Sequence, residues 1–494
     1  MAGNEKQPEQ AAKFVEDLAD KDDFSQWYHD VVRKAEMADE SPVRGCMVIR
    51  PYGYALWEAI QRGLDDRIKA TGHENLYMPL FIPMSFFQRE AAHVEGFAPE
   101  LAVVTVGGGE ELSEPLAVRP TSEAVFGHMY SKWIQSYRDL PVMYNQWANV
   151  VRWEKRTRPF LRTSEFLWQE GHTAHRTEAE AEEETLKILN DVYADFVEKE
   201  LAIPVIRGRK SESEKFPGAL RTYSMEAMMG DGKALQAGTS HNLGQNFAHA
   251  FDIQYLDADG ERKFVWTTSW GASTRLVGAV IMVHGDESGL KMPPRVAPIQ
   301  VVLVPIWRKP AEREAVELAV KEVERDLRAA GIRIKTDWRD QVTAGYKFND
   351  WELRGVPLRL EIGPKDVQKE QVVLVRRDTR TKEFVPRAEL ADRATALLVE
   401  IQQALFDTAL AFRLSRTTQA TTFAELAARI ADREHLGFVE AWWCGDAQCE
   451  ADIKAQTQAT NRGIPFERST EATEGTCVYC GKHATEWAVF AKAY

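Results

Sequence analysis

The sequence predicts an α+β protein of several domains, in which an antiparallel sheet flanked by helices forms the first part. Three observations favour this fold class. Alternating apolar strands joined by a charged loop lie at 142–175, strands alternate with helices beyond Pro293, and four cysteines crowd into the last 51 residues. A chain of 494 residues is also too long for one hydrophobic core, so we expect two to four domains.

The composition excludes several classes of protein. A net charge of −13 weighs against a protein that coats nucleic acid without specificity, although a local basic surface would still allow specific binding. No run of about 18 uncharged apolar residues occurs, so we expect no membrane-spanning segment. Residues 1–23 lack the apolar core of a secretory signal and are interpreted as a solvated N-terminal lead-in.

The spacing of apolar residues predicts the first elements. Residues 54–70 carry apolar side chains every three or four positions, which predicts an amphipathic helix that ends at Gly72. The apolar run MPLFIP at 78–83 ends in proline and predicts a short strand. Residues 178–199 predict a highly charged helix, whose apolar face carries Leu186, Leu189, Tyr193 and Phe196.

A strand pair with a basic loop is the first informative motif. Alternation at 142–154 and at 165–175 predicts an antiparallel hairpin. Arg152 and Glu154 stand two residues apart, so on a strand they would share a face. The loop between the strands suits a polyphosphate or a nucleic-acid backbone, but a solvated hairpin tip explains its composition equally well. Its charges come from Lys155, Arg156, Arg158 and Arg162.

A second motif places an arginine at the start of a helix. The small residues Gly271, Ala272 and Ser273 precede a helix that carries Arg275 in its first turn. A cation at a helix N-terminus opposes the helix dipole, so this placement would suit a site that holds an anion or a flat ring. On this motif alone, an ordinary amphipathic helix is the favoured interpretation.

The character of the chain changes near Pro293–Pro294. Strands such as QVVLVPI, LRLEIG and QVVLVRR alternate with helical segments, which predicts a small α/β domain of about 110 residues. A third region follows and holds two cysteine pairs, Cys444-x4-Cys449 and Cys477-x2-Cys480, separated by 27 residues. This spacing suits a tetrahedral zinc site with four thiolates. His483 in place of one thiolate, or four free thiols, are the alternatives.

Together these segments resemble motifs 2 and 3 of class II aminoacyl-tRNA synthetases, and MPLFIP with Pro83 resembles motif 1. The closer resemblance is to prolyl-tRNA synthetases of the archaeal and eukaryotic type, and it covers about Phe24 to Tyr494. It is carried by RPTSE (119–123), RWE, FLWQEGH, QAGTSHNLGQNF (236–247), SWGASTR and MVHGDESGL.

The resemblance implies an activity and a domain plan. The activity is the ATP-dependent conversion of L-proline to prolyl-adenylate, followed by transfer to the 3′-terminal ribose of tRNA(Pro). The implied cofactors are ATP with Mg²⁺ and a structural Zn²⁺, and the implied form is a cytoplasmic homodimer. The implied domains are a class II catalytic domain (24–292), an anticodon-binding domain (293–407) and a C-terminal zinc-binding domain (408–494).

The resemblance also implies the site residues. Thr121 and Glu123 would hold the amine of proline, and a carboxylate is the natural partner of a protonated amine. Arg152 at the α-phosphate and Arg275 on the adenine and the terminal phosphate would be the catalytic residues. The ring walls would be Trp168, His172 and Phe216, with Glu170, His241 and Ser273 as further proline contacts and Glu154, Arg162, Gln236 and Thr239 as further ATP contacts. Candidate anticodon readers lie at 346–351 and 361–365 and at Arg376 and Arg377.

Two rival hypotheses and two finer expectations accompany this interpretation. One rival is a class II synthetase for threonine, serine or glycine, and the other is a synthetase-like binding protein without activity.

Few residues separate His175 from Trp270, so we expect no inserted editing domain there. The apolar tail WAVFAKAY predicts that Tyr494 packs towards the catalytic domain.

Overall fold

The structure is a computed structural model that describes residues 18–87 and 101–494. Residues 1–17, most of the predicted lead-in, and residues 88–100 therefore lie outside the described residues. By internal contacts the chain forms two compact units. The first comprises residues up to Asp39, Ile49–Ala59 and Val280–Asp407, and the second comprises Glu40–Val48, Ile60–Ala279 and Thr408–Tyr494.

The helices are named in chain order over the described residues. They are α1 (Phe24–Lys34), α2 (Pro51–Ala70), α3 (Met84–Phe87), α4 (Glu123–Trp133), α5 (Glu178–Lys187), α6 (Asp195–Lys199), α7 (Asn246–Phe251), α8 (Arg275–His284), α9 (Pro310–Ala329), α10 (Ala344–Leu353), α11 (Pro364–Gln368), α12 (Leu390–Ser415), α13 (Phe423–Ala431) and α14 (Ala447–Thr457). A π-helical stretch, Ile188–Ala194, joins α5 to α6, and short 3₁₀ turns lie at Tyr137–Asp139 and Arg387–Glu389.

The strands are named in the same way. They are β1 (Ala38–Glu40), β2 (Met47–Ile49), β3 (Glu74–Asn75), β4 (Phe81–Pro83), β5 (Ala102–Gly107), β6 (Glu110–Val118), β7 (Val142–Val151), β8 (Glu165–His175), β9 (Val205–Arg209), β10 (Arg221–Met228), β11 (Ala234–Gly244), β12 (Gln254–Leu256), β13 (Arg262–Phe264), β14 (Trp266–Ser273), β15 (Val301–Pro305), β16 (Ile334–Thr336), β17 (Leu358–Ile362), β18 (Gln371–Arg376), β19 (Lys382–Pro386), β20 (Thr417–Gln419), β21 (Phe438–Trp443), β22 (Thr460–Pro465), β23 (Gly475–Thr476), β24 (His483–Ala484) and β25 (Glu486–Ala491).

The second unit is built on one large sheet. Its strand order over the described residues is β20-β21-β25-β22-β9-β10-β11-β14-β8-β7-β3, antiparallel except at the pairs β20–β21 and β3–β7. The predicted hairpin is confirmed, because β7 pairs with β8 in unbroken register from Val142–Ala174 to Val151–Glu165. The helical run α5–π–α6 packs on one face of this sheet, where the Tyr193 hydroxyl lies 2.6 Å from the Gln169 side chain. Side chains alternate between faces, so Trp168 and Glu170 point to the opposite face.

The C-terminal strands extend the same sheet. The backbone of β22 pairs with β9 at Ile464–Arg209 and Pro465–Gly208. Gly208 makes this approach possible, because a Cβ there would lie 2.3 Å from the Ile464 carbonyl oxygen. The region predicted as a separate metal-binding domain is therefore joined to the large sheet by backbone hydrogen bonds.

The α/β part of the first unit agrees with its prediction. Its sheet has the order β16-β15-β17-β18-β19, parallel over the first three strands and antiparallel over the rest. Helix α9 packs against it through a buried face that carries Val316, Val320, Val323 and Leu327.

Three predicted boundaries were wrong. The helix predicted at 54–70 begins at Pro51, since proline suits the first turn of a helix. The strand predicted at 78–83 is reduced to Phe81–Pro83. The strand predicted at 142–154 ends at Val151, so Arg152 and Glu154 lie beyond it. None of the described helices is both long enough and apolar enough to cross a bilayer.

Candidate active site

The predicted site residues of the sheet share one face of β8, β14 and β11. Residues directly opposite one another in adjacent strands point the same way, and here they form rows across the three strands. One row is His172–Ser269–His241, the next is Glu170–Gly271–Thr239, and a third pairs Trp168 with Ser273. The register thus brings together residues that lie up to 105 positions apart in the sequence.

Gly271 leaves the centre of this face open. Its neighbours across the strands are Glu170 and Thr239, whose side chains flank a position that carries none. A Cβ at Gly271 would lie 3.2 Å from the Trp168 ring, which is closer than an ordinary contact. The indole N–H of Trp168 is buried and lacks a hydrogen-bond partner among the described residues. The Trp168 ring beside the glycine therefore forms a flat floor.

The loop before α4 covers this floor. Glu123 is the first residue of α4 and is buried, and the Thr121 hydroxyl donates to its Oε2 at 2.5 Å. Ser122 between them is tied to Glu170 of β8. This link fixes the position of the predicted amine-binding pair over the sheet.

Glu170 is saturated with hydrogen bonds. Its Oε1 accepts from the Ser122 hydroxyl and from Gln146 Nε2, both at 2.5 Å. Its Oε2 accepts from the Ser122 N–H at 3.2 Å and lies 3.0 Å from His172 Nε2. Burial alone would raise the pKa of Glu170, but the contacts with His172, Ser122 and Gln146 overcome it and hold the pKa below its ordinary value. Glu170 therefore organises the pocket from beneath.

Two histidines supply ring surfaces to the pocket. The His172 ring stacks on Phe126 with centroids 4.0 Å apart, and the His241 ring stacks on Phe216 at 4.5 Å. Burial, reinforced by the positive charge of Arg152, lowers the pKa of His241 to about 3. The His241 ring is therefore neutral at physiological pH and acts as a wall.

An arginine cluster lies at the side of the same face. Arg152 donates through Nε to the Pro120 carbonyl at 3.0 Å, and its guanidinium lies 5.3 Å from the Trp168 ring centroid. Arg275 begins α8 and donates to the carbonyls of Leu161 and Gln236. Burial, together with the charges of Arg152 and Arg162, lowers the pKa of Arg275 to about 10, so it remains protonated at neutral pH.

Two of the predicted nucleotide contacts, Glu154 and Arg162, and the predicted proline contact Ser273 lie around this cluster. Glu154 pairs with the exposed Arg162 at 3.4 Å, which places both on the loop beyond β7. The Ser273 hydroxyl accepts from the Arg275 backbone N–H at 3.2 Å. A concentration of guanidinium groups beside an open, flat floor suits a ligand that joins a polyphosphate to a planar ring.

Several residues of the site were missed by the sequence reasoning. Gln146 and Ser122 hold Glu170, Phe126 supports His172, and the Thr222 hydroxyl lies 3.0 Å from His241 Nδ1. Ser122 had a signal, since it lies within the RPTSE motif. Gln146 and Thr222 are identified only by the register of the strands, and Phe126 only by the packing of α4 against β8.

The four predicted cysteines converge into one cluster. The sulfur atoms of Cys444, Cys449, Cys477 and Cys480 all lie within 4.8 Å of one another. Cys444 Sγ is 3.7 Å from both Cys449 Sγ and Cys480 Sγ. Four thiolates about 2.3 Å from a tetrahedral zinc would be about 3.8 Å apart, so the cluster fits such an ion. His483 is not in this group, and its Nε2 faces Glu474.

Part of the predicted anticodon surface lines a basic cleft in the first unit. Trp351, Arg376 and Arg377 line it, together with Arg359 and Arg380, whereas the predicted segment 361–365 does not. Arg377 is held by Asp286 at 2.6 Å, and Arg376 by Asp378 at 2.7 Å. These ion pairs fix the orientation of the two arginines at the cleft.

Family models match most of the chain. The tRNA synthetase class II core domain (G, H, P, S and T) matches residues 105–284, the anticodon binding domain matches 300–397, and the prolyl-tRNA synthetase C-terminal domain matches 425–494.

Whole-length comparisons agree. The proline–tRNA ligase of Roseiflexus sp. (strain RS-1) is 59% identical over 96% of this chain and 98% of its own. That of Natranaerobius thermophilus is 59% identical over 98% of this chain and 99% of its own. The crystal structure of prolyl-tRNA synthetase from Cryptosporidium parvum, complexed with halofuginone and AMPPNP, matches with a TM-score of 0.93 and 42% identity over 98% of this chain and 100% of that one. The chain therefore belongs to the prolyl-tRNA synthetase family, with a class II core, an anticodon-binding domain and a C-terminal domain that holds a cysteine cluster.

Proposed function

We propose that this enzyme activates L-proline with ATP to give prolyl-adenylate, and then transfers the prolyl group to the 3′-terminal ribose of tRNA(Pro). One observation carries the proposal. A buried carboxylate over an open floor with aromatic walls adjoins a cluster of guanidinium groups on the same sheet face. Such a site suits a small cationic amine next to a polyphosphate.

The proline side rests on charge and size. Glu123 is the candidate partner of the protonated secondary amine, with Thr121 bonded to it at 2.5 Å. The candidate walls for the pyrrolidine ring are Trp168, His172 and Phe216, with the neutral His241 behind Phe216. Glu170 is proposed to act through Ser122 and His172, and Ser273 through the start of α8.

The ATP side rests on charge neutralisation. A carboxylate oxygen of proline attacks the α-phosphorus, the bond from that phosphorus to the bridging oxygen breaks, and pyrophosphate leaves. Such a reaction needs positioning and opposite charge more than a general base. Arg152 is proposed for the α-phosphate and Arg275 for the adenine face and the terminal phosphate. Glu154, Arg162, Gln236 and Thr239 are proposed further contacts, and the Mg²⁺ that class II enzymes use with ATP would add to the neutralisation.

The α/β domain, for which we propose the boundaries 293–407, is proposed to bind the anticodon region of the tRNA. The basic cleft offers the guanidinium groups of Arg359, Arg376 and Arg380 for backbone or base contacts. The catalytic domain is proposed to span 24–292.

The cysteine cluster is proposed to hold one structural Zn²⁺ within 408–494. Four thiolates complete a tetrahedral shell and leave no position for an activated water. For the same reason the cluster is not proposed as an editing site.

The oligomeric state and the cellular location of the enzyme are also proposals. A homodimer is proposed because motif 1 usually builds the subunit interface of class II enzymes, and a cytoplasmic location because tRNA charging serves translation.

The segment between β8 and β14 consists of α5 to α7 and strands β9 to β13. Since these elements belong to the core, we propose that the enzyme does not hydrolyse alanyl-tRNA(Pro), which deacylation of that substrate would test.

The decisive experiment is amino-acid-dependent exchange of labelled pyrophosphate into ATP. Proline should support exchange, whereas threonine, serine and glycine should not, and tRNA(Pro) should then accept labelled proline. Exchange with one of the other three amino acids would identify a different synthetase. Binding of proline without any exchange would favour the inactive, synthetase-like protein.

A further inference from the structure

The loop at 210–219 connects β9 to β10 and carries Phe216. It begins directly after the two residues of β9 that pair with β22 of the C-terminal region. Because Phe216 stacks on His241, the conformation of this loop determines where one wall of the pocket stands.

The start of the loop is held by buried contacts from the C-terminal region. The Ser211 hydroxyl donates to Glu450 Oε1 at 2.9 Å, and these residues are only 2% and 5% exposed. Beside it, Lys210 Nζ donates to the Arg462 carbonyl at 2.9 Å and to Glu226 Oε1 at 2.8 Å. Arg462 closes the set by donating to Glu226 Oε2 at 2.8 Å. Buried hydrogen bonds to charged groups are costly to break, so they define this end of the loop.

Glu450 is tied to the cysteine cluster by the chain itself. It follows Cys449 directly in the first turn of α14, a helix capped by the Asp446 side chain. Ligation of Cys449 would fix the same turn from which Glu450 reaches Ser211.

The far side of the loop leads to the pocket. The Phe216 N–H donates to the Thr222 hydroxyl at 2.9 Å, and this hydroxyl lies 3.0 Å from His241 Nδ1. Only four residues separate Ser211 from Phe216. A displacement of Ser211 is therefore expected to displace Phe216 as well.

We infer that the C-terminal region positions the proline pocket, with Ser211 and Glu450 as positioning residues that hold the loop at 210–219. The inference rests on the proposed function, since it assigns Phe216 to the proline site. It gives the cysteine cluster a role in amino-acid recognition through the loop, without contact to the substrate.

The test compares three variants in pyrophosphate exchange. Glu450→Ala and Ser211→Ala should each raise the proline KM about tenfold and change the ATP KM less than about twofold. Glu450→Gln should restore much of the proline KM, because its amide oxygen still accepts from Ser211. The matched control is Glu486→Ala, which breaks the 2.9 Å pair with Arg209 at the same β9 junction, one residue before the loop, and leaves the Ser211–Glu450 bond in place. It should leave both constants unchanged.

A second readout does not depend on activity. Hydrogen exchange of the amides at 210–219 should accelerate in Glu450→Ala and stay at the wild-type rate in Glu486→Ala, with equal zinc content in both. Unchanged proline KM and unchanged loop exchange in Glu450→Ala would overturn the inference. So would an equal rise of both KM values, since that indicates general loosening. If proline supports no pyrophosphate exchange by the wild-type protein, the proposed function fails. The hydrogen-exchange rates of the loop amides would still decide whether the C-terminal region holds the loop.

Discussion

Ser122 binds Glu170 twice, through its hydroxyl to Oε1 at 2.5 Å and through its backbone N–H to Oε2 at 3.2 Å. This pair joins the loop before α4 to the floor of the sheet. The loop carries the candidate amine ligand Glu123, and the floor carries the candidate ring walls. The spacing between the two halves of the proline pocket therefore depends on one buried carboxylate.

We expect Glu170→Gln to destabilise the protein by about 3 kcal/mol at neutral pH, since it removes a buried charge that accepts four hydrogen bonds. The pKa of Glu170 is lowered in the folded state, so its ionised form contributes stability above the ordinary value of 4.5 and loses it as the pH falls below that value. The difference in the free energy of unfolding between wild type and variant should therefore become smaller at acidic pH. Thermal unfolding between about pH 7 and pH 2 measures it, and Glu183→Gln, an exposed change on α5, is the control. A gap independent of pH would contradict this assignment.

Arg152→Ala should lower the rate of proline-dependent pyrophosphate exchange at least about 100-fold, because in the proposed reaction its guanidinium would neutralise the charge that develops on the α-phosphate. Arg152→Lys should recover only part of it, since an ammonium cannot make the same bidentate contact. Arg156→Ala removes an exposed arginine of the same loop and should have little effect. A loss of less than about tenfold in Arg152→Ala would remove the residue from the catalytic machinery.

Much of this site could be predicted because short motifs carry it. The alternation at 165–175 is enough to put Trp168, Glu170 and His172 on one face of a strand. The same rule failed at Arg152 and Glu154. There the strand ends at Val151, although the Arg152 N–H still donates to the Ser164 carbonyl at 2.8 Å across the base of the loop.

What could not be predicted depends on distant pairing. Gln146 reaches Glu170 only because the two are opposed in the β7–β8 register. The contact between β22 and β9 joins residues more than 250 positions apart, and no local pattern indicates strand order across such a distance. For that reason the sequence could not predict that the C-terminal region contacts the loop at 210–219.

Glu123→Gln should raise the proline KM strongly and leave the ATP KM within about twofold. The substitution keeps the shape of the side chain and the acceptor for Thr121, which now bonds Oε2 at 2.5 Å, but removes the charge opposite the amine. Initial rates of exchange at varied proline and at varied ATP separate the two constants. A changed ATP KM with an unchanged proline KM would move Glu123 to the nucleotide side.

Purified protein should contain about one zinc per chain, held by four thiolates. Cys449→Ser should release the metal and lower the thermal stability, because Cys449 is buried at the start of α14. The control is Cys46→Ser, a half-buried cysteine outside the cluster, which should retain the metal. Elemental analysis measures both, and a metal-free wild-type protein would refute the site.

Tyr494 packs towards the catalytic domain, as the sequence predicted, and its ring also contacts Arg158 of the basic loop, which the sequence did not predict. The Tyr494 hydroxyl donates to Asp231 Oδ2 at 2.5 Å, and its backbone N–H donates to the Ala234 carbonyl at 3.1 Å. The Arg158 guanidinium lies 4.8 Å from the Tyr494 ring centroid, and Lys233 Nζ lies 4.7 Å from it. These cation–π contacts brace the loop that follows Arg152.

Removing Ala493 and Tyr494 should therefore raise the ATP KM about fivefold, which corresponds to about 1 kcal/mol, and should leave the zinc content unchanged. Tyr494→Phe keeps the ring against Arg158 and loses only the bond to Asp231, so its ATP KM should lie between those of the truncated and full-length proteins. Tyr494→Ala should match the truncation, since the ring is the part that touches the loop. Unchanged ATP kinetics in the truncated protein, measured by pyrophosphate exchange, would show that Arg158 holds its position without the tail.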